Sequence, residues 1–464
     1  MARGPVVVIS TLAEYQTRFW APVGVELRRH RFDVAYLCFD DPSFDELRRH
    51  GFEAYNMFSL SGPASGDDTE SDRVIERYGV TRLNLWLSHE RLAFGVRDTR
   101  ILSRRLAAYL RAAELAFERI AAADRAPVLV QELGGFLSVI AAYHVARARD
   151  IDNWFIEPAF FRARLFFTRN SFAAPAIAAD ERPVRRVAAM EAYLAQTLAN
   201  GAIVIPQKDR HHYRGAGSKV LDPRNVRRLV RKVVDKYALG RRREFDHIWQ
   251  YASGHLQMAV NSWRLRPAYT RLDAAGPFVY FPFHVPGDVA LTLRSPEYLD
   301  QLGLVEFLAR TVPAALQVAV KEHPAQVGAV EVRRLQGLLR RYDNVIVLPP
   351  ETNNFEVLRR AKAVVSVNSK SGAEALLVGT PVVVLGDAFY RSYRGVSPVS
   401  RLAELPDVLR RVTARPPEHD PGLLRDYFQQ VWDRTRPGEL YVPAPENVRV
   451  FTESLVAALR PEAA

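Results

Sequence analysis

Two short segments of the chain carry residue types suited to holding a phosphate. The first is Val318-Ala-Val-Lys321-Glu322-His323-Pro324, an apolar run that ends in charged residues and a proline. Proline disfavours helical backbone in the residue before it, so His323 is held extended at the carboxyl end of a strand. An imidazolium there can donate to a phosphate oxygen; the alternative is a histidine that only caps its loop. The second is Ser366-Val-Asn368-Ser369-Lys370-Ser371-Gly372-Ala-Glu374, running on through Ala-Leu-Leu-Val-Gly379-Thr-Pro381. A strand ends near Val367, and Ser371 or a neighbour caps a new helix. The free amide groups and positive end of that helix form an anion site, and Gly372 lets a ligand come close. His323, Pro324, Asn368, Ser369, Ser371 and Gly372 are therefore the phosphate-binding candidates. If Ser371 is the cap, Glu374 is the third helical residue: either a capping-box carboxylate or an acceptor for a ribose hydroxyl.

A carboxylate suited to proton transfer lies in the other half of the chain. Gln131-Glu132-Leu133-Gly134-Gly135 directly follows the apolar run Val128 to Val130. Glu132 would thus stand at a strand's carboxyl end, where it can take a proton from an attacking hydroxyl; otherwise it is a solvated turn or a cap for the helix at Leu137. Glu157, His284, Lys321 and Lys370 are second-line candidates for touching sugar or phosphate, each equally readable as an ordinary polar group at a cleft edge.

These residues need strands and helices to position them, and the pattern supplies both. Val6 to Ser10, Phe32 to Phe39, Pro127 to Val130 and Asn153 to Ile156 are apolar runs of strand length, separated by helical stretches Glu14 to Arg29, Ile101 to Ala123 and Leu137 to Arg149. Such alternation predicts a parallel sheet covered on both faces. It restarts at Phe278 to Phe281 and continues through strands 316–320, 345–348, 363–367 and 381–385, with helices between. The expected fold class is α/β, with two Rossmann-like domains whose parallel sheets face an interdomain cleft, where open sheets bind ligands. The expected division is 1–265 for an N-terminal Rossmann-like domain that includes the basic segment 207–243, 266–415 for a C-terminal Rossmann-like domain, and 416–464 for a helical tail.

Composition narrows the function. The chain has 464 residues, 48% hydrophobic and 25% charged, with 64 basic against 52 acidic side chains. A single cysteine, Cys38, supplies neither an internal disulfide nor a thiolate-rich metal site, and no stretch reaches the roughly 18 apolar residues of a membrane span. A cytoplasmic protein is expected. The positive excess is concentrated in 207–243, which holds 13 Lys or Arg and 3 Asp. Within it Val226, Leu229, Val230, Val233, Val234 and Tyr237 fall at helical spacing, predicting a basic amphipathic helix that either docks by its apolar stripe or contacts an anionic membrane. Walker loops, His-Glu-x-x-His helices, nucleophile elbows and nucleic-acid-binding patterns are missing from the sequence, so no nucleic-acid partner is expected.

The run Lys321 to Pro324, the segment Val367 to Gly386 with Tyr390 beyond it, and Tyr280-Phe-Pro-Phe-His284-Val-Pro-Gly-Asp288 with Ser295-Pro296 together resemble the capsule polysaccharide biosynthesis family, which includes bacterial β-Kdo transferases. The likeness is close over about 110 residues. It implies a GT-B glycosyltransferase of hexosyl- or Kdo-transferase type, with a nucleotide-sugar as substrate, CMP-Kdo favoured, and neither metal nor other cofactor. His323, Ser369 and Ser371 would hold the nucleotide phosphate, and Glu132 would match the family's N-terminal acidic motif, with one acid where relatives carry one or two. His284 stands where relatives often have Gln. The acceptor would be a surface polysaccharide or glycolipid, reached at the inner face of the cell membrane. A nucleotide-sugar epimerase of similar fold and a non-catalytic capsule-assembly protein are the competing expectations.

Overall fold

The computed structural model describes residues 5–62, 67–122, 125–177, 184–201, 227 and 230–460. Most of the basic amphipathic segment expected within 207–243 lies outside these residues.

The apolar runs form the interiors of two sheets. In the first, β1 (Val6–Thr11), β2 (Asp33–Cys38), β3 (Glu53–Asn56), β4 (Pro127–Glu132) and β5 (Asn153–Pro158) pair in parallel, and β6 (Arg164–Arg169) adds an antiparallel edge. In the second, β7 (Phe278–Pro282), β8 (Gln317–Lys321), β9 (Val345–Leu348), β10 (Ala363–Ser366), β11 (Val382–Val384) and β12 (Val396–Pro398) are all parallel, in the order β12-β11-β10-β7-β8-β9. All of β1 is buried, as a strand covered by helices on both faces must be. Each fully buried valine there contributes about 1.5–3 kcal/mol.

The helices follow from the 3.6-residue period. Helix Thr99–Ala121 starts where the Asp98 carboxylate accepts the Arg100 N–H at 2.8 Å. It buries Leu102, Leu106, Tyr109, Ala113, Ala116, Phe117 and Ile120, a stripe at spacings of three and four, against the first sheet.

The tail 416–464 does not stand apart. Helix Pro421–Asp433 packs Leu424, Phe428 and Val431 into the second core. The chain then crosses back: β13 (Arg436–Pro437) pairs with β6, and helix Pro445–Leu459 places the Phe451 ring 4.9 Å from that of Phe19. In exchange, Phe160, Phe161, Met190 and Leu194 from the first half join the second core. The result is the GT-B arrangement, two Rossmann-like units knitted together around a cleft. Among the described residues no helix is long and apolar enough to cross a membrane.

Candidate active site

Strand β7 lies between β10 and β8, so residues following those three strands emerge side by side at one sheet edge. His284 leaves β7, His323 leaves β8 and Asn368 leaves β10. The ring of His284 ties two of these exits together, its Nε2 accepting the Asn368 main-chain N–H at 3.3 Å. Gln301 fixes His284 from the other side, giving Oε1 to its N–H at 2.7 Å and donating Nε2–H to its carbonyl at 3.1 Å. Burial is the main reason the His284 pKa is pushed down to about 4, with Asp288 opposing and His323 assisting. A neutral ring accepting at Nε2 carries its proton on Nδ1, a buried atom with no hydrogen-bond partner. His284 is thus buried and braces the turn that follows β10.

His323 caps the short turn Pro324–Gln326, its Nδ1 accepting the Ala325 N–H at 3.2 Å. That bond puts the proton on Nε2, the tautomer that donates outward. Burial holds the His323 pKa below the usual histidine range; Asp288 pulls it up and Lys321 pushes it further down. The expected imidazolium is therefore replaced by a neutral donor. Asp288, which sequence reasoning did not single out, caps the short helix Val289–Thr292 and is the carboxylate that acts on both histidines.

The turn after β10 differs from expectation in one physical respect: most of its amides are already engaged within the protein, two of them by its own serines. Ser366 Oγ accepts the Ser369 N–H at 3.0 Å, and Ser369 Oγ accepts the Ser371 N–H at 3.2 Å. Ser369, not Ser371, is therefore the N-cap of helix Lys370–Leu377. The Gly372 N–H goes to the Ser369 carbonyl at 3.0 Å. Asn368 turns its side-chain amide inward to Ala290 O and, at 3.2 Å, to Ser295 Oγ. Gly372 makes room for Tyr390, whose hydroxyl occupies the space a Cβ would need and donates to Ser369 O at 2.7 Å. Its absent side chain serves packing; close approach of a ligand is not what requires it.

With Ser369 as the cap, Glu374 falls on the fifth helical residue, too far along for a capping box. It is 2% exposed, and Oε2 accepts from Asn354 Nδ2 at 2.7 Å. The same amide reaches Ser371 Oγ at 3.2 Å, turning that hydroxyl toward Asn354. Burial raises the Glu374 pKa to about 7, opposed first by the Asn354 bond and then by Lys370 and Lys321. Lys321, 4% exposed, donates to Thr352 O at 2.9 Å, and burial lowers its pKa to about 8. These two buried groups act on each other electrostatically.

Across the cleft, Glu132 ends β4 and accepts a hydrogen bond from Tyr441 Oη at 2.7 Å. The following Gly135 backs onto His89, whose Nδ1–H donates to Gly287 O beyond β7. Loops from both sheet edges therefore touch through His89. Two second-line candidates also span the halves. Arg294 grips Glu157 with both guanidinium nitrogens, one at 3.0 Å, and Lys370 Nζ donates to Ala159 O at 2.8 Å. Both are engaged in hydrogen bonds between the two halves of the chain. His89, Arg294, Tyr390 and Tyr441 all lack a local sequence signal, because each acts on a partner distant in the chain.

The capsule polysaccharide biosynthesis protein family matches residues 140–415, more than half of the chain, and the chain belongs to that family. Protein FixF of Sinorhizobium fredii is 32% identical over 143 residues, which are 30% of this chain and 34% of that protein. The matched stretch thus spans about a third of the curated relative. Among solved structures, the β-Kdo 2,7 transferase KpsC of Thermosulfurimonas dismutans is 14% identical, with a TM-score of 0.37, covering 74% of this chain and 89% of the other. The UDP-GlcNAc 2-epimerase of Neisseria meningitidis is 13% identical, with a TM-score of 0.26, covering 98% and 99%. Likenesses of this size carry neither protein's chemistry to this chain.

Proposed function

We propose that this protein is a glycosyltransferase that moves a sugar from a nucleotide-activated donor, a CMP-sugar such as CMP-Kdo favoured, to a growing surface polysaccharide or glycolipid. The observation that carries this is the convergence of His323 and the Asn368-Ser369 turn on either side of β7, held in register by the bond between His284 Nε2 and Asn368 N. Family membership supports the substrate class.

In the proposed reaction the bond between the anomeric carbon and the phosphate oxygen breaks, and the electron pair leaves with the phosphate. Neutral His323 gives its Nε2 hydrogen bond to that oxygen. The N-terminal end of helix 370–377, with Ser369 at its cap, meets the remaining charge. The acceptor hydroxyl forms the new bond to the anomeric carbon and gives its proton to Glu132, which Tyr441 keeps oriented. In this reading Glu374 accepts from a ribose hydroxyl, and its bond from Asn354 Nδ2 holds the carboxylate in place. No step assigns a role to a divalent ion, so turnover is expected to continue in EDTA.

The test is incubation with CMP-, UDP-, GDP- and dTDP-sugars, each with and without a glycan acceptor. Acceptor-dependent release of one nucleotide supports transfer. Epimerised nucleotide-sugar formed without acceptor, or no turnover of any donor, contradicts it.

A further inference from the structure

Helix Ile248–Leu265 joins the two halves, and its two faces have opposite surroundings. One face docks: Leu265 is fully buried, Asn261 Nδ2 donates to Gly328 O at 2.9 Å, and Gly328 packs directly against the Met258 backbone. At about 100° per residue, these positions lie roughly 140–200° from Leu256. The outward face should then be polar, and it is not. Trp249, Leu256 and Trp263, spaced by seven, are 64%, 61% and 68% exposed. Within about 60° of that line the helix presents Trp249, Ala252, Ser253, Leu256, Ala259, Val260 and Trp263, with one hydroxyl and no charge.

The stripe continues onto a neighbouring segment. Lys232 Nζ lies 5.3 Å from the ring centre of Tyr251, and Lys236 Nζ pairs with Asp246 at 2.8 Å, so residues 230–239 sit beside the start of this helix. Val230, Val234, Tyr237 and Leu239 are all exposed there. The expectation that this valine stripe docks on the protein is not met for its described residues. Contiguous exposed apolar surface of this kind marks a contact site.

Charge identifies the occupant. The helix contains Arg264 and no acidic residue, and the described part of the adjoining segment, 230–243, holds six Lys or Arg against one Asp. A second copy meeting this face across a two-fold axis would bring the same positive stretch against itself. An anionic bilayer complements both features: tryptophans settle at headgroup depth, the aliphatic residues enter the acyl boundary, and the cations meet lipid phosphates. We propose that the outward face of helix 248–265, together with residues 230–239, docks the protein on an anionic membrane surface. This stands independently of the chemistry proposed above.

The experiment is flotation with vesicles of phosphatidylcholine alone and with about 30% phosphatidylglycerol, at low salt and at about 0.3 M salt. Wild type and the triple variant Trp249→Gln/Leu256→Gln/Trp263→Gln are compared, with thermal unfolding and nucleotide binding as controls for an intact fold. The expected result is binding to the anionic vesicles, weaker at high salt and reduced at least tenfold in the triple variant. A second variant, Arg231→Gln/Lys236→Gln, is expected to flatten the salt dependence. Equal binding by wild type and triple variant, or no binding by wild type, overturns the proposal. So does a wild-type dimer that the triple variant dissociates, since a second copy would then cover the face. Protection of both tryptophans from acrylamide without vesicles would likewise overturn it, by showing that the chain's own residues cover them.

Discussion

The imidazole of His284 accepts the main-chain N–H of Asn368 at 3.3 Å, joining the exit of β7 to the exit of β10 across 84 residues of chain. In the proposed phosphate site, the Asn368-Ser369 turn is held by this bond and His323 leaves the neighbouring strand β8. Removing it leaves a buried amide without a partner, a loss of about 1–3 kcal/mol. His284→Ala is expected to weaken nucleotide binding roughly tenfold, read by calorimetric titration. His284→Gln, which can still accept from that N–H, is expected to stay near wild type. Equal loss in both variants would mean the ring's shape, and not its acceptor atom, matters.

The same ring predicts an acid-sensitive fold. Its pKa lies near 4 in the folded protein against 6.5 as the reference value, so folding favours the neutral form. The associated stability is complete above about pH 6.5 and is lost as pH falls toward 4, by about 3 kcal/mol at most. The melting temperature of His284→Gln relative to wild type should therefore rise as pH drops through that window. A pH-independent difference would contradict the assignment.

Gly372 and Tyr390 form a testable pair, because the Tyr390 hydroxyl fills the place of a Cβ on Gly372. Gly372→Ala must push that ring away from Ser369 O, costing about 1–3 kcal/mol by overpacking. In a Tyr390→Ala background, where hydroxyl and ring edge are both gone, Gly372→Ala should cost much less, which thermal unfolding of all four proteins would show. Strict additivity would place the strain elsewhere.

Glu132 and Tyr441 should separate kinetically. Glu132→Gln removes the proposed proton acceptor and is expected to lower kcat about 10²–10⁴-fold with little change in KM for the donor. Tyr441→Phe keeps the carboxylate and loses only its orienting hydrogen bond, so a fall nearer tenfold is expected. A Glu132→Gln enzyme with near-normal kcat would remove Glu132 from the reaction.

The fold was readable because its strands are continuous apolar runs and its helices carry clear periodicity. Val345–Leu348 falls where the pattern puts it, and Glu14–Arg29 likewise. Strand β6, Arg-Leu-Phe-Phe-Thr-Arg, has no sequence signal of comparable strength: its ends are charged, half its residues face partly outward, and its outer neighbour is only the two-residue β13 from the far end of the chain. The placement of candidate residues was readable where they sit in one local motif: His323 follows strand β8 and Ser369 caps a helix after β10. It was not readable where the partner is remote: His89 and Gly287 are 198 residues apart, Tyr441 and Glu132 309. The cap position also misled, because Asn368, Ser369 and Ser371 are all good capping types and only the backbone decides that Ser369 serves.

The most direct measurement is calorimetric titration of the preferred nucleotide, in EDTA, into wild type, His323→Ala, Ser369→Ala and the double variant. If both residues attend one phosphate, each single change should weaken binding about tenfold, and the double variant should lose less than the sum of the two free energies. Binding unaffected by either change, or fully additive losses, would contradict a shared phosphate site.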